Sequence, residues 1–134
     1  DGLVLYSVDG DGNKTDYKVK SGGLAPDIPM VVLVNQFSAS GSEVLSGALQ
    51  DHERAILIGT TTFGKGSVNL PKRLSNGSGL YFTIGRWYSP NGRLIEGDGL
   101  EPDIRVEAGN TDDEHPQLER ALEYLAAQVA ASSR

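Results

Sequence analysis

The hydrophobic and polar positions of the chain alternate in two different periods, and the first period is that of short strands. Residues 3–8 and 15–19 are β-type runs on either side of Asp9-Gly10-Asp11-Gly12, and Asp-Gly pairs are typical of tight hairpin turns. Residues 30–34 form a continuous, mostly β-branched apolar run of the kind that is buried on both faces. The pattern therefore predicts an opening hairpin followed by a central strand.

Helical spacing follows this strand. From Ser42 to about His52, one face of the predicted helix carries the apolar residues Val44, Leu45, Ala48 and Leu49. A second apolar run, residues 55–58, comes directly after it. The order strand, helix, strand predicts a parallel βαβ unit with a right-handed crossover.

The rest of the chain is rich in turns. After a Thr/Gly loop at residues 59–66, β-like runs at 67–70, 79–87 and 93–95 are separated by turn residues at 75–77 and 90–92, which predicts further hairpins. A final helix is predicted to begin at Pro116, and its apolar face consists of Leu118, Ala121, Leu122, Leu125, Ala126 and Val129. This helix can pack on its own sheet or on a partner, so the oligomeric state stays open. The fold class is α/β.

Composition limits the possible functions. A chain of 134 residues with 38% hydrophobic residues and 17 glycines is expected to fold as a single domain, residues 1–134. The net charge of −6 argues against the basic face that nucleic-acid binding requires. The absence of cysteine and the presence of only two histidines exclude Cys-type and His-rich metal sites.

The apolar runs are far shorter than the roughly 20 residues that cross a bilayer, so we expect no membrane insertion of this segment. The first residues lack a basic leader region and open almost directly into a strand pattern, as expected of a boundary inside a larger protein.

The first segment with candidate chemistry joins the predicted central strand to the helix. Ser40 lies where helix N–H groups and the positive end of the helix dipole can stabilise an oxyanion, and the Gly41 N–H is the natural donor. The same residues also form the pattern of a capping box, in which Ser40 and Glu43 only satisfy backbone groups. Ser38 and Ser42 compete equally with Ser40 at this level.

The second segment, residues 59–67, resembles a phosphate-binding P-loop in the spacing of its glycines and of Lys65. However, Gly66 stands where Ser or Thr should bind magnesium, and a strand follows where a helix is required. Lys65 differs from the other lysines because its neighbours are apolar or glycine. Glycines allow the backbone to close around a side chain, and burial disfavours an ammonium, so we expect a neutral lysine that can act as a base toward a serine.

Histidine is a poor alternative base. His52 lies 12 residues beyond Ser40 on the same predicted helix, which separates the two by roughly 18 Å at about 1.5 Å per residue. His115 precedes Pro116 at a predicted helix start, and we interpret both histidines as structural or surface residues.

Four ordered motifs resemble the carboxyl-terminal processing protease family, also called tail-specific proteases, over nearly the whole chain. They are Ser38-Ala39-Ser40-Gly41-Ser42-Glu43, Leu49-Gln50-Asp51, Phe63-Gly64-Lys65-Gly66-Ser67-Val68 and Gly99-Leu100-Glu101-Pro102-Asp103. The resemblance implies that Ser40 is the nucleophile and Lys65 the general base, with no cofactor. It also implies a crotonase-like core, an upstream PDZ domain, substrates with an apolar C-terminal tail and an extracytoplasmic location such as the periplasm, cell envelope or lumen.

Two departures from the family pattern affect the expected site. Asn69 stands where the family usually has a glutamine that orients the lysine, and the family's glycine-rich oxyanion segment would lie upstream of this chain. We therefore expect the fragment alone to be inactive. The alternative from another functional class is a non-catalytic scaffold or peptide-binding relative in which the site has decayed.

Overall fold

The computed structural model describes residues 2–23, 25–111 and 113–132. The strands are β1 (Leu3–Asp9), β2 (Lys14–Lys18), β3 (Val31–Val34), β4 (Ile56–Gly59), β5 (Ser67–Arg73), β6 (Gly79–Tyr88) and β7 (Ile104–Arg105), and the helices are α1 (Gly41–Asp51) and α2 (Pro116–Ser132). This mixture of strands and helices confirms the α/β class.

A three-stranded parallel sheet carries the candidate chemistry. Its order is β3-β4-β7, and α1 connects β3 to β4, which confirms the predicted βαβ unit. The prediction that the first of these strands is central is wrong for the described residues, because β3 lies at the edge and β4 in the middle. A continuous apolar run indicates that both faces of a strand are buried, but it does not indicate whether the strand lies in the middle or at the edge of the sheet. The two-residue strand β7 was not predicted.

The second sheet is antiparallel, in the order β2-β1-β6-β5, and it confirms the predicted hairpins at residues 3–19 and 67–87. In the first turn the Asn13 side chain donates to Asp9 at 3.0 Å, and this hydrogen bond lowers the pKa of Asp9. The β-like run at 93–95 contributes only a single bridge between Tyr88 and Leu94.

The core lies between α1, β4 and the segment that follows β6. Its buried cluster consists of Val34, Leu57, Ile95 and Leu100, with Val32, Val44 and Trp87 packed against it. Helix α2 packs on β3 and β4 and buries Ala121. Leu118, Leu122 and Val129 on the predicted apolar face of α2 are exposed.

Gly59 allows the end of β4 to approach β3 more closely than any side chain permits. Its φ is 139°, and a Cβ atom at this position would lie 1.8 Å from the carbonyl oxygen of Val34. We expect Gly59→Ala to lower the free energy of unfolding by about 3 kcal/mol or more, from backbone strain and steric overlap together. Urea-induced unfolding measures this, with Gly10→Ala as control, since a Cβ at Gly10 meets nothing within 4 Å. Equal unfolding midpoints would contradict the close approach.

Candidate active site

Ser40 is the N-cap residue of α1 and has a strained backbone. Its φ is 55° and its ψ is −114°, a conformation that non-glycine residues rarely adopt. Such a residue costs on the order of 1–3 kcal/mol, and residues of this kind cluster at active sites. The structure thus places Ser40 where the sequence predicted it, at the end of the turn that connects β3 to α1.

The hydroxyl groups of the two neighbouring serines are engaged in this turn. The Ser38 Oγ accepts a hydrogen bond from the Asn35 N–H at 3.1 Å, and the Ser42 hydroxyl donates to the Ala39 carbonyl at 2.8 Å. Both interactions fix the turn locally, and the choice of Ser40 among the three serines stays a prediction.

Gly41 is the first residue of α1, so its N–H has no acceptor within the helix. A Cβ atom built on Gly41 would meet nothing within 4 Å, so the space beside it is open. Its N–H lies next to Ser40 at the positive end of the helix dipole, and its role as an oxyanion donor stays a prediction.

Glu43 connects the serine turn to the lysine loop. Its side chain is fully buried, and its Oε2 accepts hydrogen bonds from the backbone N–H of Ser40 at 2.8 Å and of Lys65 at 2.9 Å. Its Oε1 accepts from the Thr62 hydroxyl at 2.5 Å and from the Gly64 N–H at 2.6 Å. Because two of these backbone nitrogens contact one oxygen, the backbones of Ser40 and Lys65 are held side by side although 25 residues separate them.

The capping-box interpretation of Glu43 was therefore correct but incomplete. The hydrogen bond from the Ser40 N–H is the local half of that motif, while the contacts to Thr62, Gly64 and Lys65 could not be inferred from spacing. One feature of the sequence could have indicated the burial of Glu43: this charged residue directly precedes Val44, which packs against the core.

The backbone of the lysine loop is fixed on both sides of Lys65. The Gly97 N–H donates to the Gly64 carbonyl at 3.0 Å, and the Trp87 N–H donates to the Gly66 carbonyl at 2.7 Å. A Cβ on Gly66 would lie 2.3 Å from the backbone nitrogen of Glu96, so only glycine fits there. These contacts fix the backbone from which the Lys65 side chain extends.

The Lys65 side chain is exposed among the described residues, so the expected burial is wrong for this part of the chain. The flanking glycines do not enclose the amine. They allow the loop to pack against the backbone of residues 95–99, while the side chain of the intervening lysine stays exposed.

Asn69 lies on β5, where its amide binds two neighbouring hydroxyl side chains. Its Nδ2 donates to the Ser67 Oγ at 3.0 Å, and its Oδ1 accepts from the Thr83 hydroxyl at 2.8 Å. The role of Asn69 in orienting Lys65 stays a prediction.

The histidines lie at helix ends, one at the C-cap of α1 and one directly before α2. His52 caps the opposite end of α1, and its Nε2 is 2.7 Å from the Leu3 carbonyl oxygen. The carbonyl of His115 accepts from the Glu119 N–H in the first turn of α2. Both residues have structural contacts, as the sequence indicated.

The two other motifs join the far end of α1 to the segment around β7. The Gln50 amide donates to the Asp103 carboxylate at 3.0 Å, and that carboxylate accepts from the Leu57 N–H at 2.7 Å. Asp51, whose side chain is nearly buried, forms an ion pair with Arg93. These residues fix the frame of the site, a role that the spacing of the motifs did not reveal.

Within the described ranges, no group of three or more His, Cys, Asp or Glu side chains is placed to hold a metal ion. Nor does either helix, over those same residues, combine the length and apolar character that crossing a membrane requires.

Comparisons of sequence and fold relate the chain to known proteins. Residues 1–106 match the model of peptidase family S41. The chain is 39% identical over 112 residues to carboxyl-terminal-processing peptidase 3, chloroplastic, of Arabidopsis thaliana, covering 84% of this chain and 22% of that protein. It is 38% identical over 137 residues to the carboxyl-terminal-processing protease of Synechocystis sp., covering 98% of this chain and 32% of that protein.

A solved structure, the photosystem II D1 C-terminal processing protease, superposes with a TM-score of 0.75 at 38% identity, over 79% of this chain and 28% of that one. The chain thus spans about a fifth to a third of the length of these relatives.

Proposed function

Because the chain belongs to peptidase family S41, we propose that it forms part of a serine endopeptidase that cleaves proteins near their C-termini. The relatives named carboxyl-terminal processing proteases and CtpA-like serine proteases support this activity. The observation that carries the proposal is the Glu43 carboxylate, which accepts hydrogen bonds from the backbones of both Ser40 and Lys65.

The chemistry follows from these positions. The Ser40 hydroxyl attacks the peptide carbonyl while the neutral amine of Lys65 accepts its proton, and the Gly41 N–H stabilises the oxyanion. Lys65 then returns the proton to the leaving amine, and a water molecule hydrolyses the acyl-enzyme by the same sequence in reverse order. No step requires a cofactor.

Exposure of Lys65 bears directly on this mechanism. The side chain is exposed here, whereas a general base acts from a site that excludes water. We propose that bound substrate, together with parts of the longer polypeptide, covers Lys65 and displaces water from it. Asn69 then helps to orient the amine.

The remaining functions belong to the parent protein. We propose that a glycine-rich segment supplies a second oxyanion donor, that a PDZ domain captures the apolar C-terminal tail of the substrate, and that the 134 residues alone are inactive. The core is proposed to be of the crotonase-like kind, and the protein to act outside the cytoplasm. The longer length of the relatives and the name chloroplastic of one of them support these proposals.

A non-catalytic scaffold is the competing function, and the engagement of the Asn69 amide with Ser67 and Thr83 is the observation that favours it. The two functions differ in a cleavage assay. We expect the full-length protein to shorten a folded test protein that carries an apolar C-terminal extension, with the cut located by mass spectrometry. Ser40→Ala should leave the test protein intact. An intact test protein with the unmodified enzyme would favour the scaffold.

A further inference from the structure

Strand β5 begins two residues after Lys65 and lies at an edge of the antiparallel sheet. The order β2-β1-β6-β5 leaves one side of β5 without a neighbouring strand in the described part of the chain. An open strand edge presents unpaired N–H and C=O groups, to which another extended chain can pair. The edge closest to the proposed base is therefore open for backbone pairing.

The register shows which groups of β5 point outward. At the hairpin end, the Leu74 N–H donates to the Ser78 carbonyl at 2.8 Å, so Leu74 faces β6. Successive residues of a strand direct their backbone groups to opposite sides. Counting back along the observed pairing, Asn69 and Pro71 therefore direct their backbone groups away from β6.

The other end of the strand gives the same result independently. The Gly66 carbonyl accepts from the Trp87 N–H, so Gly66 faces β6 and Ser67 faces outward. The irregularity in pairing between Val68 and Asn69 does not disturb this alternation along β5, because both ends predict the same phase.

Pro71 limits the open edge. Proline has no N–H, and within sheets it is tolerated where the missing donor would face away from the neighbouring strand. The outward positions of β5 are Ser67, Asn69, Pro71 and Arg73. Pro71 therefore separates the N–H donors of Ser67 and Asn69, directly beyond Lys65, from that of Arg73 at the far end of the strand.

We propose that the outer edge of β5 at Ser67 and Asn69 binds an extended segment of the substrate polypeptide as an added strand. This inference rests on the proposed function and specifies how substrate is held. Pairing at two successive outward positions aligns the substrate backbone with the loop that carries Lys65, and Glu43 holds that loop beside Ser40. Because main-chain groups make these contacts, binding at this edge tolerates many substrate sequences.

N-methylation of substrate amides tests the pairing. A peptide that the full-length protein cleaves is synthesised with a single N-methyl group at each successive amide on either side of the scissile bond. Only every second amide of an added strand faces its partner, so kcat/KM should fall about 10-fold at alternate positions, with smaller effects between them. A uniform or absent effect would overturn the proposal.

A pair of variants in the full-length protein assigns the pairing to β5. Ser67→Pro removes an outward N–H without removing a hydrogen bond to β6, whereas Ser67→Ala keeps that N–H and loses only the hydroxyl contact to Asn69. We expect kcat/KM of Ser67→Pro to be about 10-fold below that of Ser67→Ala, mainly through KM. Equal values would contradict the assignment to this edge.

If Ser67→Pro does not fold, as judged by its circular dichroism, Asn69→Pro tests the neighbouring donor against Asn69→Ala, and the N-methyl series still decides the pairing. The outcomes separate this inference from the proposed function. If cleavage depends on Ser40 and Lys65 but the N-methyl series shows no alternation, the protease function holds and the added-strand proposal is wrong. If instead the enzyme loses specific activity on self-association and the N-methyl pattern is flat, the edge pairs with a second copy of the chain, which also overturns the proposal.

Discussion

Lys65→Ala should lower kcat of the full-length protein by about 10,000-fold or more, because it removes the group that we propose accepts the proton of Ser40. Lys65→Arg should be as inactive, since a guanidinium does not lose its proton in the accessible pH range. Steady-state cleavage of a peptide substrate measures both variants. Lys72→Ala is the matched control, because Lys72 is also exposed and lies on β5 beyond the lysine loop.

The result has a clear contrary outcome. If Lys65→Ala retained the rate of Lys72→Ala, Lys65 would not be the base, and the connection through Glu43 would be only structural.

Glu43→Ala should have the largest effect on stability. Four hydrogen-bond donors contact this buried carboxylate, and removal of the acceptor leaves them unpaired in the interior. We expect a loss of about 3–5 kcal/mol in the free energy of unfolding, measured by urea denaturation. Glu43→Gln should lower the free energy of unfolding by less than Glu43→Ala, because its amide oxygen still accepts hydrogen bonds. It should still be less stable than the unmodified protein, because its NH₂ group faces two donors.

Glu123→Ala serves as the control for Glu43, because the Glu123 side chain is 70% exposed and forms a surface ion pair with Arg120. Surface pairs of this kind contribute about 0–1 kcal/mol. If Glu43→Ala and Glu123→Ala unfolded at the same urea concentration, the role of Glu43 in joining the two loops would be wrong.

Local pattern was sufficient for most elements of the fold. The Asp-Gly turn, the helical spacing after Ser42 and the proline at the start of α2 each reflect interactions within a few residues, and the structure confirms all three. The edge position of β3 and the existence of β7 depend on pairing between distant segments. Neither the hydrophobic pattern nor the length of a strand indicates which other strand will pair with it.

The candidate site shows the same division. Ser40 at a helix start and Lys65 between glycines were visible locally, while the choice of Ser40 came from the family resemblance. The Glu43 contacts to Thr62, Gly64 and Lys65 span 19 to 22 residues and follow from tertiary packing. Exposure of Lys65 was missed because glycines were expected to enclose the amine, whereas they admit the neighbouring backbone.

The most direct test of the central claim is covalent labelling of Ser40 in the full-length protein by a fluorophosphonate probe, with the modified residue identified by mass spectrometry. The account predicts that Ser40 is labelled in the unmodified protein, and that labelling is lost in Lys65→Ala but retained in Lys72→Ala. Equal labelling of Ser40 in Lys65→Ala, or labelling of Ser38 or Ser42 instead, would contradict it.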